Sequence, residues 1–302
     1  MKIFDVFMFN GEFDLLEARL EYKNPVVDYF VITEANKYFN GAIKPFFLEK
    51  YFNKLNKYKD KIIYNKISNI PDNFKNFTLP HKNFTDFKKI YEHKNFNSCI
   101  LDLKKQFHTE VYIRDSQILG LTNLAKEDDI IINSDLDEFV DRKLIDEIRR
   151  NLKIVPNKQH LNVECQEFIY SLNFKKKTRW YGPKIFRYNY LNGKSFDLTR
   201  SPLTSPNYQI FEIIKNSGYH FTTFGNFDLI KHKLKSANFN GSKYYYFYKI
   251  LYFLFPFILK NRIKVGRHYF FTFRNSYEKV KPEEFVPVDL IKIISKFIKN
   301  QS

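Results

Sequence analysis

What most restricts this chain is a series of short apolar runs rich in strand formers, each set apart from the next by a stretch of helix length. "KIFDVFMF" comes first, "NGE" supplies a turn, and "EFDLLEARLEY" follows with apolar side chains at Phe13, Leu15, Leu16 and Leu20. "VVDYFVITEAN" reads as a second strand that stops at Glu34 to Asn36, and "KDKIIYNKI" as a third near residues 60 to 66. A helical pattern from about Ser98 to Leu124, broken in two, leads back into the sheet through "EDDIIINSDLDEF". Strands alternating with helices predict an α/β fold with a mostly parallel central sheet flanked by helices. Residues 68 to 97, with Pro71, Pro80 and many Asn, read as a long irregular connection. Beyond the acidic run come a helix in "DRKLIDEIRRNL", strands in "NVECQEFIYSLNF" and "PKIFRYNYL", a short strand in "SGYHFTTFG" and a helix in "NFDLIKHKLKSANF". With no repeat and no Gly/Ser linker, one domain is expected over 1–302.

The run "IINSDLDEFV" concentrates Asp135, Asp137 and Glu138 at the end of a strand, in a chain whose formal net charge is +17. Ligands of open α/β sheets bind outside the carboxyl ends of the strands. Extended backbone puts residues i and i+2 on one side, so Asp135 and Asp137 are expected to face one ion while Leu136 faces the core. Carboxylate oxygens suit Mg²⁺ or Mn²⁺, which share their shell with substrate phosphates. A calcium loop does not fit, because Phe139 takes the third acidic position and the required Gly is missing. Standing alone, an Asp-x-Asp is also an ordinary solvated pair.

Composition narrows the classes. At 302 residues, 44% hydrophobic and 19% aromatic, the chain is too apolar to be disordered. Only Cys99 and Cys165 are present, without a CxxC, which argues against a disulfide framework or zinc cluster. "MKIFDVFMFNGEFD" lacks the features of a signal peptide, so a cytoplasmic location is expected, with peripheral contact at the inner face of the cell membrane. The excess of Lys and Arg favours anionic partners. One reading of it is a nucleic-acid-binding protein, from the interleaved Lys, Tyr and Phe of residues 242 to 275, but nothing there resembles a binding module and no nucleic acid is expected. The stretch Tyr244 to Leu259 is too short for the roughly 20 residues that span a bilayer. It is either a helix packed on the core or a surface that dips into anionic lipid, aided by Lys260, Arg262, Lys264 and Arg267.

Several separated stretches resemble glycosyltransferase family 17. They are "FNGEFDLLEARL", "VVDYFVITEAN", "DDIIINSDLDEFV", "GYHFTTFG" where the family has a Gly-Trp-His segment, and "HKLKSANF", in the family's order from residue 3 to about 240. The resemblance, to a bacterial-type member, implies a GT-A fold, with a nucleotide-binding part over about 1–140 and an acceptor-binding part with a helical, aromatic C-terminal region over about 141–302, and inverting transfer of a sugar, GlcNAc, from a UDP-sugar to a glycan or glycolipid such as a phosphorylated bacterial surface glycan. It implies that Asp135 and Asp137 bind Mn²⁺ or Mg²⁺ with His220, although Tyr219 replaces the usual Trp. Glu34 and Asn36 match a segment that holds the nucleoside; otherwise they are a turn signal. Arg114 is placed to reach the nucleotide or to brace the metal carboxylates, or else forms a surface ion pair; Lys233 could pair with the diphosphate, or else lies on a solvated helix face. Trp180 offers a flat apolar face of the kind that stacks on sugars, or fills the core. Inversion needs a base, and Asp197 in "KSFDLTR" falls in the expected order, with Glu167 and Glu212 as rivals.

Overall fold

The computed structural model describes residues 1–70, 109–191, 196–200, 212–225, 227, 243–267 and 277–298. Four strands lie parallel in the order β3 (Ile62–Ile67), β2 (Tyr29–Ala35), β1 (Ile3–Met8) and β4 (Ile130–Asn133). β1 is buried along its whole length because both faces of this half are covered. Ile3 and Phe7 pack on one side with Phe30, Ile32, Ile130 and Ile132, while Phe4 and Val6 pack on the other with Val31 and Ile131. This alternation is the two-residue period of a strand.

The helix Phe13–Lys23 covers the first side through Leu15, Leu16, Ala18, Leu20 and Tyr22, and the C-terminal helix Val288–Phe297 joins the same core through Leu290 and Ile294. Asp5 interrupts the apolar run of β1 on this side. Arg19 and Lys23, four residues apart and so on one helix face, meet it.

Beyond β4 the sheet departs from the mostly parallel expectation. β4 pairs antiparallel with β8 (Lys184–Arg187), and β6 (Leu161–Ile169) pairs antiparallel with both β8 and β7 (Phe174–Trp180). β10 (Tyr277–Lys279) closes that edge antiparallel to β7. The cause is connection length: residues 170–173 join β6 to β7 and 181–183 join β7 to β8, and links that short cannot carry a parallel crossover. Off this path, β9 (Ile213–Thr222) runs parallel to β6 and antiparallel to β5 (Glu138–Val140). Among the described residues the result is a mixed ten-stranded sheet flanked by helices.

The strand Phe174–Trp180 and the short helix Phe47–Tyr51 were not expected from the sequence. Cys165 is fully buried; Cys99 lies outside the described residues, as do Lys233 and most of the connection after Ile70. Among the described residues no helix is long and apolar enough to cross a membrane.

Candidate active site at the carboxyl edge of the sheet

The acidic turn is built from beneath by a buried arginine. Arg19 Nη1 donates to the carbonyls of Asp135 (2.6 Å), Leu136 (3.1 Å) and Glu138 (2.9 Å), and Nη2 donates to Ser134 Oγ (2.6 Å). Where β4 ends, the chain therefore turns sharply. Leu136 goes into the core, and the carboxylates of Asp135, Asp137 and Glu138 are distributed over the edge.

Asp135 is held between two guanidinium groups. Arg114 Nη1 donates to its Oδ1 at 2.7 Å and Arg200 Nη2 to its Oδ2 at 2.9 Å. Burial alone would raise this carboxyl; Arg114 and Arg200 outweigh it and hold Asp135 well below the usual carboxylate range. Arg114 also pairs with Glu110 at 3.0 Å and, through Nε, with Asp197 at 3.1 Å. Burial, with Asp135 and Asp197 nearby, pushes the Glu110 carboxyl up despite Arg114. Arg200 reaches in the other direction to both oxygens of Glu138, which is fully buried and also accepts from the Asp135 backbone N–H at 2.7 Å.

Strand pairing brings His220 to the same place. In the β5–β9 ladder it lies opposite Glu138, and Phe221 N–H donates to the Asp137 carbonyl at 2.8 Å. His220 Nε2 faces Asp137 Oδ1 across 3.7 Å, and its Nδ1 is buried with no hydrogen-bond partner among the described residues. The Trp180 ring stacks on the imidazole at 4.9 Å with an interplanar angle of 28°, and its Nε1–H donates to Glu138 Oε1 at 2.5 Å. Gly182 permits this closeness, since a Cβ there would stand 1.8 Å from Glu138 Oε1 and 2.2 Å from Trp180 Nε1.

In kind, two carboxylates and an imidazole fit a hard divalent cation. In arrangement, Asp137 and His220 face one another, while Asp135 turns its oxygens to arginines. Among the described residues no three such ligands converge.

Of the residues expected from the sequence, the structure gathers Arg114, Asp135, Asp137, Asp197 and His220 at this edge, with Asp197 anchored through its N–H to Asp115 at 3.0 Å. Glu34 stands at the carboxyl end of β2, engaged by Lys44 Nζ, the N–H groups of Phe47 and Leu48, and Tyr64 Oη. A nucleoside contact through that carboxylate would have to displace one of these donors. Asn36 keeps a buried side-chain oxygen with no partner among the described residues. Glu167 pairs with Lys176 at 3.0 Å, and Glu212 is exposed. Sequence reading assigned no role to Arg19, Glu110, Glu138 or Arg200. The available signal was an aspartate, Asp5, inside an apolar strand, which demands a buried cation.

Residues 1–95 match the model of glycosyltransferase family 17. No curated protein matches the chain. Among solved structures, mannose-6-phosphate isomerase from Helicobacter pylori aligns over 63% of this chain and 72% of its own at 10% identity, with a TM-score of 0.31, too low to bear on fold or function. The matched segment, 95 of the 302 residues, holds β1, the helix that carries Arg19, and β2 with Glu34; over it the chain is similar to glycosyltransferase family 17, which supports a glycosyltransferase activity.

Proposed function

We propose that the protein is an inverting, metal-dependent transferase of the GT-A type that moves GlcNAc from a UDP-sugar to a glycan or glycolipid acceptor. The observation that carries this reading is the family match over residues 1–95. The acidic edge lies beyond that segment.

The nucleotide occupies the crevice at the carboxyl ends of β1, β2 and β4, where open sheets take their ligands. Asn36 offers it an acceptor with no partner among the described residues. Arg114 stands beside Asp135 at that edge, a cation within reach of a diphosphate, and Lys233 is assigned the same partner from sequence. Asp137 and His220 are the pair that would hold Mn²⁺ or Mg²⁺, joined by Asp135 when the ion competes with the guanidinium groups for it. Such an ion, when bound, neutralises the charge that grows on a departing diphosphate. Asp197 is the residue assigned to take the proton of the acceptor hydroxyl. Trp180, fixed by His220 and Glu138, presents the acceptor with a partly exposed aromatic surface.

The test is thermal stabilisation by UDP with and without Mn²⁺, together with UDP release from UDP-GlcNAc, UDP-Glc and UDP-Gal. Stabilisation that requires the ion and disappears in Asp137→Ala, with release from one donor, is the expected result. No stabilisation by UDP and no release from any of the three donors would overturn the reading.

A further inference from the structure

The segment from Tyr244 to Leu259, read from the sequence as either a helix packed on the core or a surface that meets lipid, has no helix long and apolar enough to cross a membrane and packs on the core on one side only among its described side chains. It folds as two helices, Lys243–Leu254 and Pro256–Lys264, parted at Phe255, where the proline can only begin a new helix. One side of the pair is anchored: Tyr252 and Leu259 are buried against Ile169 and Tyr170 at the end of β6. The other side presents Ile250, Phe253, Leu254, Phe255 and Phe257 to solvent, with Phe253 72% exposed. Single exposed apolar residues are ordinary, but large ones in succession on adjoining helices mark a surface that is covered in use.

We infer that this helix pair seats the enzyme on an anionic lipid bilayer. The choice of occupant rests on charge. Residues 243–267 contain Lys243, Lys249, Lys260, Arg262, Lys264 and Arg267 and no Asp or Glu. Lys260, Lys264 and Arg267 are exposed around the apolar face. Two copies meeting through this face would bring like charges together in a chain already at +17, whereas anionic headgroups supply the opposite sign. Aromatic and aliphatic side chains above a basic rim are the composition of a helix that lies in the membrane interface.

The seat is placed to serve the site. Asn133, where β4 stops, is level with Lys184 of β8, and Lys184 is level with Asn162 of β6. From there β6 runs on to Ile169, roughly 23 Å beyond the end of β4 at strand rise, and Glu138 of the acidic turn lies level with Glu167 through His220 of β9. The helix pair packs at that far end, so the site and the apolar face lie toward the same end of the sheet.

The experiment uses the full chain and sedimentation with vesicles of phosphatidylcholine alone or mixed with phosphatidylglycerol. Pelleting with the mixed vesicles, weakened by salt, is expected. Phe253→Ser combined with Phe257→Ser should lower that affinity at least about tenfold. Lys260→Glu combined with Lys264→Glu should abolish the preference for phosphatidylglycerol. Thermal melts of both variants verify that the fold is kept. Equal pelleting of the Phe variant, or failure of the wild type to pellet, overturns the inference. So does a wild type that is dimeric in solution and turns monomeric in the Phe variant, which would assign the face to a second copy.

Discussion

Arg19 grips Asp5 by both carboxylate oxygens, Nε to Oδ2 and Nη2 to Oδ1 at 2.8 Å each, and neither side chain has any exposed surface. The same guanidinium holds the carbonyls of the acidic turn, so one ion pair in the first 20 residues fixes a turn more than 100 residues later. Asp5→Asn would leave Arg19 and Lys23 buried without their counter-charge. The expected loss is about 3–5 kcal/mol, the usual cost of removing one partner from a buried pair. Urea unfolding measures it, and a loss below about 1 kcal/mol would show that the pair is not what orders this region.

Lys23 makes stability depend on pH in the alkaline range. Burial chiefly, and then Arg19, pull its ammonium from the ordinary 10.5 down to about 8, against the attraction of Asp5. Below pH 8 folded and unfolded chains both hold the proton and this group adds no slope. Between 8 and 10.5 the unfolded chain keeps a proton that the folded chain has released, so stability rises with pH, by at most about 1.4 kcal/mol per unit. Lys184, brought to about 8 by burial and Arg200, contributes in the same direction. Lys23→Met should therefore flatten the rise of the urea midpoint between pH 8 and 10 only in part. An unchanged slope would mean that Lys23 does not titrate there. Asp5 acts at the other end: Arg19 and Lys23 overcome burial to lower its pKa, so its stabilisation is present above the ordinary carboxylate range and is lost as pH falls through the lowered value.

The parallel half of the fold was legible because each strand there is an apolar run with a helix-length interval after it, and Ile130–Asn133 ends where the acidic residues begin. The antiparallel half was obscure for a physical reason. "FKKKTRW" carries four basic side chains on a strand near the edge of the sheet, where water replaces the core on one side and no apolar pattern is needed. The site divides in the same manner. Asp135, Asp137 and His220 could be picked out by residue type, but Arg19 and Arg200 could not, because an arginine inside a protein reads in sequence like one on its surface. Only Asp5, a charge set among Ile3, Phe4, Val6 and Phe7, pointed to a buried cation.

Gly182 sits where a side chain would part Trp180 from Glu138. Gly182→Ala should cost about 1–3 kcal/mol through overpacking and break the indole hydrogen bond. Trp180 is the chain's only tryptophan, so its emission reports this contact without interference. A red-shifted spectrum with easier acrylamide quenching is expected. A spectrum and urea midpoint equal to those of the wild type would show that the ring is not locked.

Asp197 is tied to the acidic turn through the side chain of Arg114, whose guanidinium spans Asp135 and Asp197, and its carbonyl accepts from the N–H of Arg200. If Asp197 accepts the acceptor's proton, Asp197→Asn keeps the side-chain shape but has no base to offer. Transfer should then fall roughly 10²–10⁴-fold while the affinity for UDP stays within about twofold. Loss of UDP binding in parallel with transfer would instead assign Asp197 to holding Arg114 in place. The two outcomes separate cleanly in one preparation, by calorimetry with UDP and by sugar transfer at saturating donor. Glu110, whose carboxyl is pushed up by burial and by its two acidic neighbours, is the group to replace next if the Asp197→Asn variant turns over at the wild-type rate.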